Sequence, residues 1–162
     1  MRILLFVTLC ITTFCKAQHN FSFDDNLIWS NIYTNNVTAE QLNTFIKTKG
    51  AQSYIEDDVV NFTIKFDNTN LKPFGFKSLE FPTYIQFGGN YTGFVQFKDQ
   101  KYKVTITRIE VVDVLDNSLS ISLSEYVIKK NKISDKAMHQ KTLQMLDAYF
   151  TNTFTYKTTS DW

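Results

Sequence analysis

Phe97-Lys98-Asp99-Gln100-Lys101-Tyr102-Lys103-Val104-Thr105-Ile106 is the stretch on which the fold turns. Side chains alternate across an extended chain. Tyr102, Val104 and Ile106 therefore face one way, and Lys101, Lys103, Thr105 and Thr107 the other. Asp99-Gln100 forms the tip of a predicted hairpin over 93–112. Beyond Arg108 the phase slips, because Ile109 and Val111 fall on the opposite parity, and this predicts a β-bulge. One apolar face and one polar face imply a sheet packed on a core on one side only.

The same reading extends towards the N-terminus. Val60, Phe62, Ile64 and Phe66 alternate with Asn61, Thr63 and Lys65, predicting a strand. Asp57-Asp58 is a turn, with a short strand near 52–56 before it. Asp67-Asn68-Thr69-Asn70 reads as a loop. Thr38 and Gln41 have the spacing of a capping box, Val37 and Leu42 that of a hydrophobic staple, and Gly50 is a stop. These predict a helix over 39–49, with Ala39, Leu42, Phe45 and Ile46 on its buried face. Leu27–Tyr33 predicts the first strand. Between 71 and 92, Pro73, Gly75, Pro82, Gly88 and Gly89 predict an irregular connection with an extended piece at 83–87.

Towards the C-terminus, 113–117 reads as a loop. Leu119, Ile121 and Leu123 alternate with serines, predicting a strand that runs on towards Ile128. Ser134 is the expected cap of a last helix whose stripe is Leu143, Leu146, Tyr149 and Phe150, with Met138 and Phe154 at its margins. Residues past Tyr156 are expected to fray. The result is a single α+β domain in the order strand, helix, four or five strands, helix. Its sheet is antiparallel, with two helices packed on one face.

Residues 1–17 have the parts of a cleavable signal peptide: Arg2, the apolar run 3–14, and Cys15-Lys16-Ala17 before Gln18. About 12 apolar residues fall short of the roughly 20 that a spanning helix needs. Bulky Phe14 argues against lipid anchoring at Cys15. The expectation is export to the periplasm or beyond, leaving a domain of residues 18–162 with no transmembrane segment. Both cysteines leave with the leader, and with them thiol catalysis, thiolate metal sites and disulfides. Of 17 basic side chains, the loss of Arg2 and Lys16 leaves 15 against 16 acidic ones, a net charge of −1. That balance argues against nucleic-acid binding, which needs a clustered positive footprint.

No catalytic, cofactor or metal motif emerges. His19 and His139 lack triad partners, and no glycine-flanked serine elbow occurs. Asp24-Asp25, Glu56-Asp57-Asp58 and Asp113…Asp116 lack the ligand offsets of a calcium loop and read as solvated turns. Four Asn-x-Ser/Thr sequons, at Asn20, Asn36, Asn61 and Asn90, would matter only in a eukaryotic secretory route. Two candidate surfaces remain. Phe74, Phe76, Phe81, Tyr84 and Phe87 could line an apolar pocket or anchor a partner, or tuck beneath the sheet. Lys98, Lys101, Lys103 and Arg108 could bind an anion, or keep a sheet edge from pairing.

Three segments carry a resemblance: Ile28-Trp29 through Tyr33 with the capped helix, Phe81-Pro82-Thr83-Tyr84-Ile85, and 97–106. On these the chain resembles a family of exported bacterial domains of unknown function with a TBP-like fold. The family pattern has a glycine where Gln100 stands, and arginines where Lys101 and Lys103 stand. The resemblance implies a TBP-like antiparallel sheet and export, and it supplies no reaction. A TBP-like fold need not bind DNA, since function lives in sites grafted on folds.

The expected function is therefore a non-enzymatic exported domain, with no cofactor. It binds a protein partner or small apolar ligand, or serves a structural role at the cell envelope. The alternatives are a carboxylate-dependent hydrolase using Glu80 or Glu110, and a polyanion-binding module through strand 98–108. Oligomeric state cannot be read from the residues.

Overall fold

Asp99 and Gln100 both take left-handed backbone conformations, with φ of 50° and 59°. Two successive residues of this kind make the tight turn whose twist matches a right-twisted hairpin. The computed structural model describes residues 19–113 and 119–157. The expected leader, most of the predicted 113–117 loop and the last five residues lie outside the described residues.

Around this turn, β5 (Gly89–Lys98) and β6 (Lys101–Val112) run antiparallel, with Lys98 opposite Lys101 and Tyr91 opposite Ile109. The register shifts where Gly93 pairs with Ile106 and Thr92 with Arg108, leaving Thr107 as the extra residue of a bulge. The anticipated change of parity thus has a local cause. Gly93 is needed beside it: a Cβ there would lie 2.2 Å from the Thr105 carbonyl oxygen and 2.9 Å from the Phe62 ring.

The remaining strands are β1 (Phe21–Asp24), β2 (Asn26–Thr34), β3 (Gln52–Glu56), β4 (Val59–Phe66) and β7 (Ser120–Ser122). With β5 and β6 they form a seven-stranded antiparallel sheet of order β1-β2-β6-β5-β4-β3, in which β7 pairs with the far end of β6. A small hairpin of β8 (Ile128–Lys129) and β9 (Lys132–Ile133) stands apart. The chain is an α+β domain.

Helix α1 (Ala39–Lys47) has the expected capping box, with Gln41 N–H donating to Thr38 Oγ1 and Thr38 N–H to Gln41 Oε1. It buries Leu42 and Ile46. The long helix α4 (Ala137–Phe154) buries Leu143, Met145, Leu146, Tyr149, Phe150 and Phe154. Its rings meet those of the sheet: Phe150 lies 5.4 Å from Trp29 and 4.7 Å from Tyr91, and Phe154 lies 4.9 Å from Phe62. The chain just past α4 touches α1, through the Phe45–Tyr156 ring pair and an Asn35 Nδ2 donation to the Tyr156 carbonyl. Both helices lie on the face formed by Trp29, Phe62, Tyr91 and Tyr102. Burying several large aromatic side chains at about 25 cal/mol per Å² is the dominant stabilising term in such a core.

Five local expectations are corrected. Asn68–Leu71 is a short helix (α2), not a loop, because Asp67 Oδ1 accepts from the amides of Thr69 and Asn70 and the Asn70 side chain answers to the Asp67 amide. Residues 83–85 form a 3-10 turn instead of an extended piece. The strand at 119–128 stops at Ser122, whose hydroxyl accepts from Ser124 N–H and starts helix α3 (Leu123–Val127). Ser134 does not cap α4, which begins at Ala137; its carbonyl instead accepts from Gln140 Nε2. Phe154 is fully buried in the core, not marginal.

Candidate functional site

Among the described residues, the helices cover one face of the sheet and leave the other without one. The other face carries Ile32, Lys103 and Gln96 in one cross-strand row, and Ser30, Thr105, Phe94, Asn61 and Tyr54 in the next. Ile32 is 62% exposed and Tyr54 59%. Threonines fill much of the remainder, and Thr63 and Thr92 are hydrogen-bonded across β4 and β5 at 3.1 Å.

At the hairpin end of this face is a groove of about 510 Å³, lined by Ile32, Gln96, Phe97, Lys98, Asp99, Lys101 and Lys103. Strand register brings these residues together. Ile32 of β2 and Gln96 of β5 flank Lys103 of β6, and the turn sets Lys98 against Lys101. Like charges directly opposite on a sheet cost a few tenths of a kcal/mol to about 1 kcal/mol. Asp99 in the turn between them supplies one opposing charge. Among the described residues, none of the three lysines is in an ion pair.

Arg108 does not join them. It lies seven residues from Lys101, roughly 23 Å along the strand, and is paired with Glu110. Of the anion-binding candidates, then, Lys98, Lys101 and Lys103 cluster and Arg108 stands apart. Ile32, Gln96, Phe97 and Asp99 were not singled out from the sequence. Ile32 gave one signal: it is apolar on the polar parity of β2, opposite Trp29 and Tyr33.

The aromatic segment is placed differently. Phe76, Phe81 and Tyr84 are buried, and Phe74 is half-buried with its ring 5.7 Å from that of Tyr149. Phe87 is 50% exposed and lines a second groove of about 490 Å³ with Lys65, Asp67, Asn70 and Asn90. Thus Phe87 is the one of the five that offers a ring to a ligand.

The two candidate carboxylates are held separately. Glu80 bridges Lys77 and Lys141 of α4, and these cations hold its carboxyl below the usual range. Glu110 of β6 is paired with Arg108. His139 is half-buried near Tyr84, at 6.4 Å between ring centroids, and burial followed by Lys136 and Lys129 pushes its imidazole down. Its Nδ1 and the Tyr84 hydroxyl are buried without a hydrogen-bond partner among the described residues. Among the described residues, no cluster of three His, Cys, Asp or Glu is arranged to hold a metal ion. No helix of the described residues is long and apolar enough to cross a membrane.

Comparison with family models and with curated proteins finds no match. Two solved structures are similar to this chain. One is a DUF4468 family protein from Bacteroides ovatus ATCC 8483, 12% identical, with 85% of this chain and 91% of that chain covered at a TM-score of 0.46. The other is a TBP-like protein from Parabacteroides distasonis ATCC 8503, 13% identical, covering 81% and 88% at a TM-score of 0.45. These descriptions match the resemblance read from the strand and turn motifs, and neither carries an activity. The α+β fold itself follows from the strand pairing and helix packing of this chain.

Proposed function

We propose that this chain is an exported, non-enzymatic interaction domain that binds an acidic protein segment in the hairpin-end groove. One observation carries the reading. Lys98, Lys101 and Lys103 converge on the uncovered face beside an exposed Ile32, outside any ion pair among the described residues and with Asp99 as one carboxylate against three cations. The positive field would steer and orient an anionic segment, and Ile32 would anchor an apolar side chain within it. A protein segment suits the site better than nucleic acid, because three lysines on a chain of net charge near −1 make too small a footprint for a phosphate backbone. The Thr-rich face beyond the groove would extend the contact. Export through residues 1–17 sets the compartment in which the partner is met.

The test is capture from the envelope fraction of the producing cells, compared with Lys101→Glu/Lys103→Glu protein. The reading expects a specific partner that elutes with moderate salt, with affinity at least roughly tenfold weaker in the double variant. A partner retained equally by the variant, or binding only to single-stranded nucleic acid, would refute it.

A further inference from the structure

We infer that strand β3 is a pairing edge for a second copy of this chain, and that two copies join by antiparallel extension of the sheet. β3 is the last strand on its side of the sheet: among the described residues its strand ladder is with β4 alone, and the Ser53 hydroxyl donates to Asn43 Oδ1 of α1. Four of its five residues are exposed, including Tyr54 at 59% and Ile55 at 37%. At the opposite side of the sheet, β9 lies against β1, so that edge is screened.

Edge strands are usually protected from pairing by charge. Here the charges are sorted instead. Lys47 and Lys49 precede β3, whereas Glu56, Asp57 and Asp58 end it. All five side chains lie outside any ion pair among the described residues. Lys49 sits over the Phe45 ring at 4.8 Å, a contact that leaves its charge available.

This arrangement selects one partner and one direction. Antiparallel self-pairing about a two-fold axis at Tyr54 sets Gln52 opposite Glu56 and Ser53 opposite Ile55 of the other copy, which brings the Asp57-Asp58 turn of each copy to the end at which the other's Lys49 enters β3. Each acidic turn then meets the other copy's lysines, twice, as an isologous interface requires. Parallel pairing would stack like on like. At the centre the two Tyr54 rings become direct cross-strand neighbours on the uncovered face, a favourable aromatic pair. A two-fold axis perpendicular to the sheet turns both uncovered faces the same way, so the dimer presents two hairpin-end grooves on one side.

Five residues per copy give an interface below the size of stable complexes. The dimer is accordingly weak, with a dissociation constant on the order of 100 µM, and salt-sensitive.

Sedimentation of the purified protein from about 10 µM to about 1 mM tests this, with circular dichroism as the check on fold. The expected result is a concentration-dependent dimer that weakens at high salt. Lys47→Glu/Lys49→Glu, and separately Glu56→Lys/Asp57→Asn/Asp58→Asn, should each weaken self-association at least roughly tenfold. An equimolar mixture of the two variants should restore a 1:1 heterodimer, because their ends are again complementary. A wild-type protein that stays monomeric at about 1 mM overturns the inference. So does a dimer unaffected by either variant, or a mixture that fails to recover.

Discussion

Asp147 offers the sharpest test of how the sheet is held to α4. Its Oδ1 accepts from Trp29 Nε1 at 2.6 Å, from Asn20 Nδ2 at 3.0 Å and from the Asn20 amide at 3.3 Å. One carboxylate oxygen on α4 thus gathers the segment before β1 and the indole of β2. Trp29 is fully buried, so Asp147→Ala leaves its N–H without its protein acceptor. A charge-assisted hydrogen bond contributes about 1.5–3 kcal/mol, and an orphaned buried donor costs about 1–3 kcal/mol. These overlap; the Asn20 bonds are exposed and add little. The expected loss is about 2–4 kcal/mol, or roughly 6–12 °C in Tm for a domain of this size. Asp147→Asn keeps an acceptor in place and should lose about 1 kcal/mol or less. Urea unfolding followed by tryptophan fluorescence reads both the stability and the Trp29 environment. If Asp147→Ala unfolds within 0.5 kcal/mol of wild type (a threshold set by roughly what a neutral surface change costs), or if Asn is no better than Ala, the assignment fails.

Two further predictions concern the turn and the titration curve. Gln100 holds φ of 59°, where glycine pays no Cβ penalty but loses more chain entropy, so Gln100→Gly should stabilise by about 0.5–1 kcal/mol and Gln100→Val should destabilise by a similar amount; thermal melts that rank the three in another order contradict the turn assignment. Burial, aided by Lys136 and Lys129, lowers the His139 imidazole from its ordinary value of 6.5, so the folded state resists a proton that the unfolded chain accepts. Stability should therefore decline as pH falls through the unfolded value towards the folded one, and His139→Gln should flatten that limb in urea midpoints taken between about pH 5 and pH 8; an unchanged slope would place the titration elsewhere.

What was legible in the residues was what local periodicity dictates. The Thr38–Gln41 cap, the alternation at 60–66 and the parity slip at Arg108 each depend on neighbours within a few positions, and each was found where expected. The misses have two physical sources. Some are local competitions decided by side-chain hydrogen bonds: Asp67 and Asn70 build a capping box without the usual Glu or Gln, and Ser122 turns an alternating stretch into helix. The others depend on long-range pairing. Nothing near Ile32 in sequence says that it will sit beside Lys103 and Gln96, and nothing near Phe154 says that it will reach Phe62 and Trp29. The candidate groove was half legible for that reason: its lysines share one hairpin, but its apolar wall arrives from another strand.

The bulge at Thr107 has a consequence for how this domain tolerates sequence drift. Before it, even-numbered positions of β6 are locked into the core; after it, odd-numbered ones are. A library of substitutions along β6 should therefore show sensitivity every second residue, with the beat reversing across Thr107. Were Thr107 paired in regular alternation instead of bulged out, Ile109 and Val111 would face the wet side and Arg108 and Glu110 would turn inward. Deleting it leaves Ile106 and Ile109 two places apart, so the inward set is kept and only the bulge is lost. The extra residue works as a phase adjuster that lets one strand serve β2 at its start and β7 at its end. Lineages of such a domain would be free to rewrite the uncovered side of the sheet and to lose the extra residue together with its bulge, yet a second residue inserted there would have to be absorbed in its turn.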